Sequence, residues 1–211
     1  MFHSKAILTI SSALFLSACG TGTPATAETA ARADLYACEG CEAAYERSAE
    51  TLAWSAVVAD ADEPGERLVA KGTVYGTDGK TPQDGVVIYF HQTNAEGLYA
   101  DGTDESEWSR RNGRLRAWAR TGPDGRYRFE TIKPAPYPDM TMPAHLHFIV
   151  LEPGKRPYYI DDVVFDGEFM VDETYRAKQE LRGGSGIVTL SRDADGTLLA
   201  RRDIVLERHP E

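Results

Sequence analysis

Two histidines separated by one residue open an apolar run at His145-Leu146-His147. Because side chains alternate across a β-strand, His145 and His147 project from one face and Leu146 from the other. Imidazoles at this spacing form a ready pair of metal ligands. Tyr137 lies eight positions before His145, in a segment where Pro134, Pro136 and Pro138 restrict the backbone and hold the phenol in a stiff extended segment. The chemistry indicated is a metal site built from imidazole nitrogen and phenolic oxygen.

The scaffold that must position these residues is rich in β-structure. From residue 67 onward, short runs of β-branched and aromatic residues alternate with turn sequences such as Pro123-Asp124-Gly125. This pattern predicts an all-β fold, a β-sandwich of about eight strands with one small helix at 172–181. The predicted strands are 68–75, 86–92, 114–120, 127–132, 145–151, 158–165, 187–191 and 198–206.

Two long connections interrupt this rhythm. A polar one, 94–112, contains Tyr99, and a proline-rich one, 133–143, contains Tyr137. Long loops on a rigid scaffold are common places for functional sites. Both connections are therefore candidates to contribute to one functional site.

Composition limits the class of partner. The 211 residues carry 23 Lys and Arg against 33 Asp and Glu, a formal charge of −10, so the surface should repel phosphate backbones and no nucleic acid partner is predicted. We divide the chain into a signal peptide (1–18), a flexible tether (19–33), a short N-terminal helical segment with a cysteine pair (34–66) and the sandwich domain (67–211). Composition does not predict an oligomeric state.

The first residues are typical of a bacterial export signal. Lys5 precedes an apolar stretch, and Leu16-Ser17-Ala18-Cys19 resembles the lipobox of bacterial lipoproteins. This resemblance implies lipid on Cys19 and an exported protein anchored to a membrane on its periplasmic or cell-surface side; a plain signal peptide with a chance cysteine is the alternative. Cys38 and Cys41 are predicted to form a disulfide in an oxidising compartment, with a thioredoxin-like redox pair as the alternative.

The central motifs resemble those of the intradiol ring-cleavage dioxygenases, the family of protocatechuate and catechol dioxygenases. The similarity lies in Pro136-Tyr137-Pro138 followed by Pro143-Ala144-His145-Leu146-His147-Phe148, and in the upstream segments 72–75, 85–90, 94–99 and 120–129 in the same order and spacing. It covers roughly residues 68–167. At each position where the family has an iron ligand, this sequence has a residue of the same type.

The resemblance implies an Fe(III) cofactor held by Tyr99, Tyr137, His145 and His147. It further implies a catecholic substrate, a small aromatic diol, that reacts with dioxygen and is cleaved between its two hydroxyl-bearing carbons to a muconate-type diacid. Tyr99 and Tyr137 would be the catalytic tyrosines. Tyr137 would be the ligand that the substrate displaces and that takes a substrate proton, while Tyr99 would stay bound.

Two positions depart from the family pattern and mark a candidate substrate pocket. Met142 stands where active members usually carry an arginine, and a thioether supplies neither charge nor donor. Asp162 stands where they tend to carry a glutamine. Arg114 and Arg116 are the candidates to supply the missing cation, and otherwise they are solvated surface residues. His91 has no partner motif and is predicted to be an ordinary residue.

Two other functions remain open on the sequence alone. The same sandwich could be an exported module that binds iron or a catechol siderophore without turnover, which the loss of an arginine at Met142 would favour. It could also be a transthyretin-like adhesive domain without metal. Visible absorption from tyrosinate bound to Fe(III) would distinguish the last from the others.

Overall fold

The structure is a computed structural model that describes residues 1–2, 30–102 and 106–211. The predicted signal peptide and Cys19 lie outside these residues, apart from the first two positions. None of the helices in the described ranges is long and apolar enough to cross a membrane. The architecture is a sandwich of two β-sheets, which confirms the predicted fold class.

The first sheet has the strand order β1-β5-β2-β11-β10, with β12 paired to β2 beyond the end of β11. Its strands are β1 (Ser55–Val57), β2 (Arg67–Tyr75), β5 (Arg126–Ile132), β10 (Ser191–Arg192), β11 (Leu198–Arg201) and β12 (Ile204–Val205). β2 runs antiparallel to β5 over seven residue pairs, which makes this pair the centre of the sheet.

The second sheet has the order β4-β3-β6-β8-β9, with β7 paired to β6. Its strands are β3 (Val87–Gln92), β4 (Arg116–Arg120), β6 (His145–Leu151), β7 (Tyr158–Tyr159), β8 (Val163–Phe165) and β9 (Ile187–Val188). β3 lies between β4 and β6 and is antiparallel to both. This sheet carries both predicted histidine ligands.

Alternation along the strands separates the core from the functional face. Phe90, Phe129 and Phe148 are buried and pack together between the sheets. On β6, Leu146 belongs to this core cluster, so His145 and His147 project from the outer face of the second sheet. The hydrophobic core thereby fixes which face carries the histidines.

The N-terminal segment covers one end of that outer face. It has two short 3-10 helices, Cys41–Tyr45 and Ala49–Thr51, and the indole N–H of Trp118 donates to the Ala43 carbonyl at 3.0 Å. Cys38 and Cys41 are joined as a disulfide with Cα atoms 5.7 Å apart. The same segment also contributes β1 to the first sheet.

Several predicted elements differ in detail. The helix expected at 172–181 is α2 (Glu173–Ala177), and the predicted strands 158–165, 187–191 and 198–206 are each two short strands. The connection 94–112 contains α1 (Glu107–Asn112), capped by the Ser106 hydroxyl, which accepts from the Ser109 amide at 3.1 Å. Each long apolar run is divided because its two parts pair with different strands or with different stretches of one strand. The register of such pairs cannot be read from local sequence.

Candidate metal centre

The two histidines converge through their Nε2 atoms, which lie 3.0 Å apart. The His145 Nδ1–H donates to the Pro143 carbonyl at 2.7 Å, and the His147 Nδ1–H donates to the Asp162 carboxylate at 2.8 Å. When the imidazoles are neutral, these bonds leave both Nε2 lone pairs facing the same point. Two nitrogen ligands about 2.1 Å from one metal ion and at right angles lie about 3.0 Å apart, so the spacing fits a shared ion.

The two tyrosines complete the cluster. The Tyr99 hydroxyl oxygen lies 2.8 Å from His147 Nε2 and 3.1 Å from the Tyr137 hydroxyl oxygen. The Tyr137 ring packs edge-on against His145 with centroids 5.2 Å apart. The structure therefore brings together all four residues expected to act as ligands: Tyr99, Tyr137, His145 and His147.

Tyr99 and Tyr137 lie on two different loops, and a glycine allows these loops to contact each other. The Asn94 side-chain oxygen accepts from the amides of Glu96 and Leu98, each at 3.0 Å, which shapes the turn that leads into Tyr99. Gly97 has φ +77°, and a Cβ there would lie 2.0 Å from the Pro136 carbonyl oxygen. Only glycine fits this close approach, which brings Tyr99 next to the loop of Tyr137.

Burial sets the charge of the donors. It lowers the pKa of His145 below its ordinary value, an effect that the neighbouring His147 reinforces, and so favours the neutral imidazole that could serve as a ligand. It raises the pKa of Tyr99 well above the ordinary value, and the Tyr137 hydroxyl and the Asp162 charge add to this. A tyrosinate at position 99 therefore requires a cation beside it, which a bound metal ion supplies.

Asp162 behaves as a partner of His147 within this cluster. Burial opposes ionisation of the carboxyl, but the charge of His147 and its hydrogen bond hold the Asp162 pKa below the usual range. Burial likewise lowers the pKa of His147, and Asp162 more than offsets this, so the His147 pKa is raised. Their ligand atoms and that of His145 lie within 4.8 Å of one another, an arrangement able to hold a metal ion. The sequence singled out Asp162 but did not indicate that it orients His147.

The candidate substrate-pocket arginines have other partners. Arg114 forms an exposed ion pair with Glu63, with Nη2 at 2.9 Å from Oε1. Arg116 lies opposite His91 in the sheet, pairs with Glu46 and donates to the Ser106 hydroxyl at 3.0 Å. Met142 is half-buried in the segment that leads into β6.

The fold and the donor set define a β-sandwich with a two-histidine, two-tyrosine centre suited to a hard metal ion. A family model described as "Dioxygenase" matches residues 42–206. The chain therefore belongs to this dioxygenase family, the family of intradiol ring-cleavage enzymes.

Individual relatives agree with the family. The chain is 31% identical over 137 residues to a catechol 1,2-dioxygenase of Acinetobacter lwoffii, covering 57% of this chain and 43% of that protein. It is 28% identical over 156 residues to a chlorocatechol 1,2-dioxygenase of Cupriavidus pinatubonensis, covering 66% and 57%. The chain thus spans about half the length of these curated relatives.

A solved structure has the same architecture. It is the dioxygenase domain of a fusion with a carbohydrate-binding protein from Streptomyces sp. SirexAA-E, with a TM-score of 0.54 and 26% identity. The match covers 72% of this chain and 86% of that domain.

Proposed function

We propose that this protein uses Fe(III) to cleave a catecholic ring between its two hydroxyl-bearing carbons with dioxygen, giving a muconate-type diacid. The observation that carries the proposal is the convergence of the Tyr99 and Tyr137 hydroxyls on the paired Nε2 atoms of His145 and His147. Two phenolic oxygens and two imidazoles are a donor set that suits a hard ferric ion.

Each side chain has a defined task. Tyr99, Tyr137, His145 and His147 would hold the iron, which when bound acts as a Lewis acid toward the catechol oxygens. The Pro143 carbonyl and the Asp162 carboxylate keep the two imidazoles in the tautomer that presents Nε2.

The arrangement supports Tyr137 as the proton acceptor. Tyr99 is central, since its oxygen contacts both His147 and Tyr137, whereas the Tyr137 hydroxyl contacts the cluster through Tyr99. Tyr137 would therefore be the less constrained of the two tyrosines. Its oxygen would be the group that accepts the proton of the incoming catechol hydroxyl.

The test uses iron-loaded protein, a panel of catechols and ¹⁸O₂. We expect oxygen uptake and a ring-opened diacid that contains both labelled atoms. Tyr137→Phe should lose this activity. Tyr159→Phe removes a phenol that donates to Glu180 at 3.3 Å, outside the set of proposed ligands, and should keep the activity. Iron-loaded protein without visible absorption would contradict the proposed site.

The alternative function is an exported protein that binds iron or a catechol siderophore without turnover. Met142 favours it, because no guanidinium stands at the place where active relatives usually carry one. A coloured protein that binds catechols, yet consumes no oxygen, would support this alternative and refute the enzyme.

We also propose that the protein is exported and anchored to a membrane through lipid on Cys19. The lipobox-like sequence supports this, and a Cys38–Cys41 disulfide suits an oxidising compartment. Mass spectrometry of the membrane fraction should find a lipidated N-terminal Cys19, and an unmodified N-terminus elsewhere would contradict the anchor. Alkylation without reductant should label neither Cys38 nor Cys41, and two labelled thiols would contradict the disulfide.

A further inference from the structure

A column of stacked rings stands behind one of the proposed ligands. The His91 ring lies 4.3 Å from the His147 ring, centroid to centroid, with an interplanar angle of only 16°. On its other side the Tyr89 ring lies 5.3 Å away at 24°. Strand register produces this column, because His91 pairs directly with His147 and Tyr89 lies two residues from His91 on the same face of β3.

The column has a rigid base. Tyr89 is fully buried, its hydroxyl accepts from the Asn112 amide at 2.8 Å, and its ring packs 4.9 Å from that of Trp118. His91 therefore stacks on a ring that is buried and hydrogen-bonded, and it is itself stacked on His147. Asn112 lies in α1, within the connection that also carries Tyr99.

His147 has a second restraint of a different kind. The hydrogen bond from its Nδ1 to Asp162 fixes one atom of the ring but leaves the ring free to tilt about that atom. A ring stacked on its face removes the tilt. Both restraints together determine where Nε2 points.

The His91 ring contacts the rings of Tyr89, Tyr99 and His147. Its Nδ1 is buried and has no hydrogen-bond partner. Its ligand atoms are not part of the cluster formed by His145, His147 and Asp162 among the described residues. Stacking is thus the contact that joins His91 to the proposed ligand His147.

We propose that His91 is a positioning residue that fixes the plane of His147 by stacking and so aims Nε2 at the metal ion. This rests on the proposed metal centre. Loss of an outer partner of a metal-bound histidine typically weakens metal affinity about 10- to 100-fold. We expect His91→Ala to weaken iron binding by at least about 10-fold, whereas His91→Phe, which keeps a flat ring, should bind iron within about 3-fold of wild type.

Two measurements test this on the full chain. Iron titration with the visible band and electron paramagnetic resonance should give matching spectra for wild type and His91→Phe, and an altered ferric signal for His91→Ala. NMR of the His147 ring in the metal-free protein should show one sharp set of resonances in wild type and His91→Phe. It should show broadened or multiple resonances in His91→Ala, because the ring is then free to tilt.

The outcomes separate the positioning role of His91 from the proposed iron-dependent function. If His91→Phe behaves as His91→Ala although both are folded by circular dichroism, the imidazole nitrogens matter and stacking is the wrong explanation. If His91→Ala keeps the wild-type spectra, the column has no positioning role. If wild type itself binds no iron, the proposed function fails, and the NMR comparison still decides whether His91 orients His147.

Discussion

Replacing Gly97 by alanine tests whether the contact between the two tyrosine loops builds the metal centre. Gly97 lies two residues before Tyr99 and adopts φ +77°. An added Cβ would lie 2.0 Å from the carbonyl oxygen of Pro136, the residue before Tyr137, and 3.3 Å from Pro138. The substitution therefore pushes the two loops apart without removing any ligand.

The size of the effect follows from these distances. A Cβ–oxygen contact shorter than 3.0 Å is essentially never seen, so the loops must separate by about 1 Å. Metal–ligand distances vary by only about 0.2 Å, so such a shift is too large for Tyr99 and Tyr137 to share one ion in their present positions. A displacement of about 1 Å at a catalytic centre can lower the rate about 100-fold. We expect Gly97→Ala to lose the visible band and at least that factor in turnover.

The matched control is Gly154→Ala. Gly154 has nearly the same backbone angle, φ +72°, but no atom lies within 4 Å of an added Cβ. Both variants carry the cost of a left-handed alanine, about 1 kcal/mol, which lowers Tm by roughly 2–4 °C in a domain of this size. Only Gly97→Ala should also lose iron and colour. If Gly97→Ala kept the band and the iron stoichiometry of Gly154→Ala, the contact between the loops would not determine the site.

The remaining predictions concern single side chains. Tyr99→Phe and Tyr137→Phe each delete one oxygen while keeping the ring, so each should weaken iron binding or remove the visible band without unfolding; an unchanged band with full iron would remove that residue from the ligand set. Asp162→Asn keeps an acceptor for His147 but loses the charge, and a charge-assisted hydrogen bond contributes about 1 kcal/mol more than a neutral one. Iron titration should therefore show roughly 5- to 10-fold weaker binding. Unchanged affinity would contradict a role for the charge. Met142→Arg should raise catechol turnover, measured as diacid per bound iron, by up to about 10²- to 10³-fold. No turnover in wild type or in Met142→Arg would favour a protein that binds iron or a catechol siderophore without turnover.

Much of the fold could be predicted because local pattern and tertiary structure agree. The strands β2, β3, β5 and β6 are apolar enough that their boundaries fall within about two residues of those expected. His145 and His147 followed from simple alternation, since Leu146 had to face the core. The family motifs then supplied Tyr99 and Tyr137, which periodicity alone could not have assigned to the same centre.

The unpredicted features depend on contacts between distant residues. β1 is three residues long and exists because it pairs with β5, some seventy positions later in the chain. The helix α1 lies in a connection that looks irregular because it is polar, yet its Asn112 side chain donates to the Tyr89 hydroxyl. The partner of His147 could not be assigned either, because β8 must first pair with β6 before Asp162, just before β8, can reach the ring. Strand pairing of this kind is decided by the whole fold.

The two departures from the family pattern change the charge of the centre in the same direction. Met142 withholds a cation from the place where active relatives usually carry one, and Asp162 adds an anion directly behind His147. Anionic Asp162 raises the donor strength of His147, which favours retention of a metal cation. The same charge makes the surroundings less favourable for a substrate that brings more than the two catechol oxygens as anionic groups. If the proposed function holds, we therefore expect the centre to hold its ion firmly and to prefer uncharged catechols over those with a carboxylate. Arg114 pairs with Glu63 and Arg116 pairs with Glu46, so neither supplies an uncompensated cation to offset that carboxylate.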